Sequence, residues 1–217
     1  MNFTPIDIKT WPRAQNFYYF SKMAPTGYSL TVNIDVTDLK KAVKKANLKF
    51  FPVYLWLVTK NLNRQIEFKV AEKDGVLGYY DTLTPLYATF HEDDHTVSLM
   101  WTEYSDDFSE FYRSYTENQK NFGNTHGILS QPQTPPPANA YTVACIPWVE
   151  FSHFAVHMYE NKPYYFPSVE SGKFFERDGK LFMPLSITCH HATTDGYHIK
   201  CFLDSLKEDM NEFIKTL

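Results

Sequence analysis

No stretch of this 217-residue chain is apolar for long enough to cross a membrane as a helix. The longest clearly apolar run, VYLWLV at 53–58, falls far short of the ~20 residues that a membrane helix needs. The opening residues MNFTPIDIKTWPR lack the charged-then-apolar pattern of a secretory leader. Cysteine is scarce: Cys145, Cys189 and Cys201 offer neither an even count nor disulfide-like spacing. Together these absences lead to the expectation of a protein of the reducing cytoplasm, with no membrane partner. A sustained basic stripe is missing as well. The net charge is −4, and the one basic cluster, LKKAVKK at 39–45, reads as a solvated helix face. Duplex binding requires many cations in line with phosphates, so no nucleic-acid partner is expected. Around Cys189–His198 neither CxxC nor HExxH spacing occurs. HEDDH at 91–95 lies between two predicted strands and reads as a polar turn, so no metal site is expected. No internal repeat or flexible linker breaks the chain, and a single domain over 1–217 is expected.

What the chain does have is rings. Eighteen Phe and fifteen Tyr bring aromatics to 17% and hydrophobics to 43%. Each buried ring removes ~150–250 Å² from water, so a large core and aromatic-walled pockets are within reach.

The pattern along the chain predicts an α+β protein with a mixed, mostly antiparallel sheet packed with helices. A helix is expected from Thr10 through Trp11-Pro12 to about Met23, because proline is tolerated in a first turn. TGYSLTVNIDV (26–36) alternates with period two, as a strand does. Thr37 and Asp38 can cap a lysine-rich helix, and a second helix after Pro52 should bury Leu55, Leu57, Val58 and Leu62. Strands are expected around the Asp74-Gly75 turn, at 85–91 and at 95–102, then a helix over 106–120. QPQTPPPANA (131–140) is a loop, since its prolines lack the needed donors. Strands near 141–146 and 153–158, a hairpin at Asp178-Gly179 leading into KLFMPLSITCHH, and a helix from Gly196 to about Phe213 complete the reading.

Chemistry concentrates in CHHATTDGYH, from Cys189 to His198. Here a strand ends and an Asp-Gly turn opens a helix. Side chains alternate across a strand, so His190 and His191 cannot both enter one pocket. An imidazole of ordinary pKa ~6.5 is largely neutral near pH 7 and can take a hydroxyl proton. An isolated HH pair would equally suit a structural histidine, and the wider pattern argues for more.

HHxxxDGxH resembles the signature of the chloramphenicol acetyltransferases, HHAVCDGFH in many members; the shorter HxxxDG is also found in the acyltransferase cores of 2-oxoacid dehydrogenase complexes. The resemblance runs through the chain in order, over DIKTWPRAQNF, SLTVNIDVTDLKKAV, KFFPVYLWLV, EFKVAEKDGVL, ATFHEDDHTVS, WTEYSDDF, IPWVEFSHF and LFMPLSITCHHATTDGYH. It implies the two-layer sandwich of the CoA-dependent acyltransferases and acetyl transfer from acetyl-CoA to a hydroxyl of a small acceptor, chloramphenicol or a related compound. By the resemblance His191 is the general base, its ring oriented by its own backbone carbonyl. Asp195 is paired with Arg13 in a buried ion pair that holds the turn. Tyr19, Phe20, Thr142 and Ala144 are placed at the acceptor, and Trp148, Lys173 and Lys49 at CoA. The resemblance further implies a homotrimer with each active site between subunits, and no metal.

The chain departs from the family at three positions. Ala144 in YTVACIPW stands where the family has a serine whose hydroxyl stabilises the oxyanion; Thr142, two residues earlier on the same strand face, is a substitute. Phe20 stands where members have a tyrosine, and Glu170 is the nearest match to a family threonine. Losing one oxyanion donor costs ~10²–10³ in turnover, so a slow or retuned enzyme, or a non-catalytic trimeric binder with the same fold, is the alternative. A complex core would be expected to carry lipoyl and subunit-binding modules ahead of it, and the first residues here already match the catalytic unit. A metal set of His190, His191, His198 and nearby cysteines is disfavoured, because strand alternation scatters those side chains.

Overall fold

Alternation in GYSLTVNID and KLFMPLSITCH makes the two longest strands, and they pair with each other over nine residues. Met183, Leu185, Ile187 and Cys189 point to one face and are buried. Ser186, Thr188 and His190 point to the other. A one-residue slip would exchange these two sets, so the apolar pattern fixes the register that carries His190 to the end of its strand.

The computed structural model describes residues 1–131, 136–157 and 164–217. In chain order the first elements are β1 (Phe3–Pro5), α1 (Ala14–Tyr18), β2 (Gly27–Asp35), α2 (Thr37–Lys45) and α3 (Phe50–Asn63). Next come β3 (Val70–Lys73), β4 (Val76–Tyr80), β5 (Thr84–Phe90), β6 (Val97–Trp101) and α4 (Phe108–Phe122). The last are β7 (Ala140–Ile146), β8 (Ser168–Gly172), β9 (Phe175–Arg177), β10 (Lys180–His190) and α5 (Gly196–Thr216). The main sheet has the order β2-β10-β8-β7-β5-β6, with β9 beside β10. It is antiparallel except where β7 runs parallel to both β5 and β8. β1, β4 and β3 form a small second sheet. This is the expected α+β sandwich: helices cover one face of a mixed, mostly antiparallel sheet.

α3 is the keel of the helical layer. Val53, Leu55, Leu57, Val58 and Leu62 are all at most 1% exposed, and the helix lies against α5, α4 and α2. Each such side chain contributes ~1.5–3 kcal/mol by leaving water. Pro52 sits in the first turn, where its missing N–H costs nothing, so α3 begins two residues before it rather than after it.

Several expectations need correction. The first helix does not start at Thr10: Asp7 ties down that segment, accepting from Lys9 N–H and the Thr10 hydroxyl, and the helix begins at Ala14. It then widens to a π-helical turn over Tyr19–Met23. α2 is capped neither by Thr37 nor by Asp38; Asp35 Oδ1 accepts from Thr37 N–H at 3.1 Å. No strand forms over 153–157, and 158 lies outside the described residues. That segment instead lies by the polar face of the sheet, where Phe154 C=O accepts from Ser186 Oγ. Of the 131–140 loop, 132–135 lie outside the described residues, and Ala140 already belongs to β7. β1 and β8 were not anticipated, whereas the expected hairpin at Asp178-Gly179 joins β9 to β10.

Candidate active site

β10 ends at His190, and the backbone N–H of His191 crosses to Thr26 C=O at 2.8 Å. The chain then turns tightly. The backbone N–H groups and hydroxyls of Thr193 and Thr194 all approach the His190 carbonyl, at 3.2–3.3 Å. Ala192, Thr193 and Thr194 are at most 1% exposed, which makes the turn a rigid mount. The histidines diverge as strand alternation requires. His190 Nδ1 accepts from Ala192 N–H at 3.1 Å, and its ring meets the edge of Tyr165 at 5.0 Å. Burial, and then the neighbouring His191, lower its pKa.

His191 faces the other way. Its Nδ1 lies 2.9 Å from the carbonyl of Thr194. A carbonyl only accepts, so Nδ1 carries the proton and the Nε2 lone pair is left free. The orienting carbonyl is therefore that of Thr194, not the histidine's own, because the turn folds residue 194 back over the ring. Phe20 stacks on the imidazole, with centroids 4.0 Å apart and planes at 22°, and Tyr28 meets it edge-on at 5.1 Å. Tyr19 packs on Phe20 at 5.0 Å. Phe20 thus reaches His191 from the π-helical turn, with Tyr19 packed on Phe20.

Asp195 caps α5. One carboxylate oxygen accepts from Tyr197 N–H at 3.0 Å, and the other pairs with Arg13 Nη1 at 2.8 Å. The pair is half-buried: the Asp195 side chain is 36% exposed and Arg13 14%. Arg13 Nε and Nη2 are buried without a hydrogen-bond partner among the described residues. Burial pushes the Asp195 pKa up, but the Arg13 hydrogen bond, the His198 charge and the Tyr197 N–H outweigh it, so the net shift is downward. His198 joins this network from the first turn of α5. Its Nδ1 sits 3.1 Å from Asp195 N–H and Oδ1, and its Nε2 3.7 Å from Glu67. The nearby Glu67 carboxylate leads in raising the His198 pKa, and His198 likewise leads in lowering that of Glu67. Sequence reasoning missed Glu67 altogether and gave His198 no part here. The third histidine of HHxxxDGxH was the available signal; Glu67 had none.

Thr142 and Ala144 are not beside His191 but on β7, on the face opposite the helices. Register sets Thr142 across from Ser168 and Ala144 across from Glu170. Glu170 is 0% exposed. Its Oε1 accepts from the Ser168 hydroxyl, and its Oε2 has no partner among the described residues. Burial pushes its carboxyl up to about 7, partly offset by Ser168. A cavity of about 320 Å³ opens near Thr142, with Leu86, Tyr164, Tyr165 and Pro137 among its walls. Tyr165 connects the two places, since its ring also touches His190 and Phe17.

Trp148, Lys173 and Lys49 lie toward the end of the sheet away from His191. Lys173 N–H bonds Val149 C=O, next to Trp148, at 2.9 Å. Phe174, next to Lys173, meets Phe50, next to Lys49, at 5.1 Å. Lys40 lies 4.4 Å over Phe174 and 4.8 Å over Phe50. Trp148 is 60% exposed and rests edge-on against Phe90. This basic, aromatic patch is far from His191 along the sheet. Ser171 pairs with Leu185, so about six to eight strand residues intervene, or roughly 20–25 Å.

Comparison with known proteins follows the same lines. A family model described as chloramphenicol acetyltransferase matches residues 1–207. The chain is 37% identical over 209 residues to a chloramphenicol acetyltransferase of Clostridium butyricum, covering 96% of this chain and 94% of that protein. It is 37% identical over 213 residues to one of Campylobacter coli, covering 98% and 100%. A solved chloramphenicol acetyltransferase superposes with a TM-score of 0.87 at 23% identity, over 96% of this chain and 99% of the other. A truncated catalytic core of the 2-oxoacid dehydrogenase multienzyme complex from Thermoplasma acidophilum superposes at 0.67 and 15% identity, over 97% and 98%.

Proposed function

The chain belongs to the chloramphenicol acetyltransferase family and is an acetyltransferase, and from that premise we propose how its residues act. Acetyl passes directly from acetyl-CoA to a hydroxyl of chloramphenicol or a closely related acceptor. His191 is the base. With its proton on Nδ1 and that proton held by Thr194 C=O, Nε2 accepts the acceptor's hydroxyl proton as the alkoxide oxygen attacks the thioester carbon. The tetrahedral intermediate then expels the CoA thiolate, which recovers the proton. The free Nε2 on a rigid turn is the observation that carries this reading. Arg13 and Asp195 are positioning residues: they anchor the N-terminus of α5, and with it the far side of the turn.

The separation of the three places bears on assembly. In one chain roughly 20–25 Å of sheet lies between His191 and the Trp148–Lys173 patch, and the Thr142 cavity is on another strand. β2 is an edge strand, and exposed apolar groups flank the histidine: Met23 at 65%, Tyr19 at 48% and Leu30 at 42%. An open strand edge beside an apolar surface suits a second copy of the chain. A homotrimer in which His191 of one subunit serves the Thr142–Ala144 strand of the next accounts for all three features. Acetyl-CoA is the co-substrate, with Lys173 and Lys49 as charges for its phosphates and Trp148 as an apolar surface. One domain over 1–217 and a cytoplasmic setting complete the proposal. No helix among the described residues is long and apolar enough to cross a membrane.

The weakly active binder remains as a second reading because Ala144 cannot donate to an oxyanion. Thiol release from acetyl-CoA with chloramphenicol present separates the two. Acceptor-dependent release with matching formation of the acetyl ester supports the enzyme. Tight acceptor binding without release would replace it with the binder.

A further inference from the structure

We propose that the β5–β6 hairpin and the loop after α4 form a binding site for one divalent transition-metal ion, zinc foremost, with His91, Asp93 and His126 as ligands. One nitrogen or carboxylate oxygen from each of these three residues lies within 4.8 Å of the others. Among the described residues this is the cluster of such groups close enough to hold an ion.

The surrounding hydrogen bonds set both imidazoles in a metal-ready tautomer. His91 is 5% exposed, and its Nε2 lies 2.7 Å from Ser98 Oγ. Ser98 already donates its single proton to Thr125 C=O at 3.0 Å. Its oxygen therefore accepts from His91, so Nε2 carries hydrogen and the Nδ1 lone pair is free. His126 Nδ1 lies 2.8 Å from Asp94 Oδ2. Asp94 is in turn immobilised, because its Oδ1 accepts from Thr96 N–H at 2.9 Å and Thr96 Oγ1 at 2.7 Å. A carboxylate holding one imidazole N–H is the arrangement that orients a histidine for a metal on its other nitrogen. That nitrogen, His126 Nε2, is 3.3 Å from Asp93 Oδ2.

Two imidazoles and one carboxylate suit zinc, with a fourth, tetrahedral position open to water. The two rings lie nearly parallel, 4.1 Å apart at 20°, and parallel rings do not aim both lone pairs at one ion. Loading therefore tilts His126 off His91. His126 is the exposed and adjustable member, whereas His91 is fixed by burial and Ser98. A proton on His126 Nε2 competes for the same place between Asp93 and the ring. The ion would clip the hairpin to the loop after α4. In the strand order β10-β8-β7-β5-β6, this corner is about four strand spacings, on the order of 20 Å, from β10. The site is thus distant from His191, and Phe90, the residue before His91, rests on Trp148 of the proposed CoA patch.

The test uses the whole protein stripped with a chelator and titrated with cobalt(II), followed by its visible d–d absorption and by displacement with zinc. Wild type should take up one ion per chain, with the intense spectrum of a four-coordinate nitrogen–oxygen site. Zinc should raise its melting temperature by mass action. His126→Gln and Asp93→Asn, both at exposed side chains, should abolish the spectrum, and Asp94→Asn should weaken binding ~10–100-fold. The doubly substituted protein, Asp93→Asn with His126→Gln, retains every cysteine and every other histidine and so measures background. Absence of saturable uptake, or uptake equal to that of the double variant, overturns the proposal and leaves His126 as a bridge between two aspartates.

Discussion

The turn after β10 and the paired strands β7 and β8 hold ionisable groups in opposite ways. At the turn, charge is kept and paired: Asp195 has Arg13, Tyr197 N–H and His198, and His198 reaches on to Glu67. On the strands a single carboxyl, Glu170, is fully buried with, among the described residues, only the Ser168 hydroxyl bonded to it. Burying an unpaired charge is costly enough that the group gives up its charge instead. The Asp195 pKa accordingly falls and that of Glu170 climbs to about 7. Pairing keeps Asp195 in its charged form beside Arg13. An unpaired acid builds a site whose charge depends on pH.

The largest expected effect lies on the paired side. His191→Ala should lower acetyl transfer by at least ~10²–10⁴-fold, the usual contribution of a general base, while CoA binding by calorimetry changes little. His190→Ala should affect stability more than turnover, because that ring faces Tyr165. Near wild-type transfer by the His191 variant would remove the base from this turn.

Glu170→Gln examines the unpaired side. The folded state holds the Glu170 proton more tightly than the unfolded chain does, since its pKa rises from 4.5 to about 7. Its contribution is therefore fully present below about pH 4.5 and lost as pH rises through about 7. Glutamine stays neutral throughout. Relative to that variant, wild type should lose about 3 kcal/mol of stability between pH 4.5 and about pH 8. Denaturant unfolding of both proteins at the two pH values measures the difference. A difference that does not change with pH would show that the carboxyl is paired after all.

Ala144→Ser probes the same strands kinetically. A hydroxyl there would donate only once the thioester oxygen becomes negative, so it should raise turnover more than acceptor affinity. The gain should be up to ~10²-fold where no other donor is present. If Thr142 already fills that role, the gain vanishes and Thr142→Val becomes the damaging change. Unaltered kcat in both variants would separate these strands from the chemistry.

The smallest effect is the coupling within the ion pair. Arg13→Ala and Asp195→Ala should each destabilise the protein, and their double-mutant cycle should return about 1 kcal/mol of coupling. Exposure of Asp195 keeps the figure modest. Additive losses would mean that the 2.8 Å contact contributes no energy of its own.

Much of this was legible in residue order because it is periodic or local. Alternation located β2 and β10, an apolar run located α3, and Asp74-Gly75 and Asp178-Gly179 marked turns whose positive φ the structure displays. CHHATTDGYH pointed to the turn proposed as catalytic and, through a family likeness, to Arg13 as the partner of Asp195, 182 residues away. β8 escaped notice because SVESG is short and polar, and such a strand exists only when β7 and β10 flank it. The sequence by itself determined which residues face which side of each element, since side-chain direction follows from the period of strand and helix. Only the tertiary structure decided which faces meet. It set Glu67 beside His198, Thr194 C=O on His191, Glu170 in the dark opposite Ala144, and His126 on His91. Periodicity gives orientation within an element, whereas burial, pairing and pKa arise from neighbours that long-range packing alone assembles.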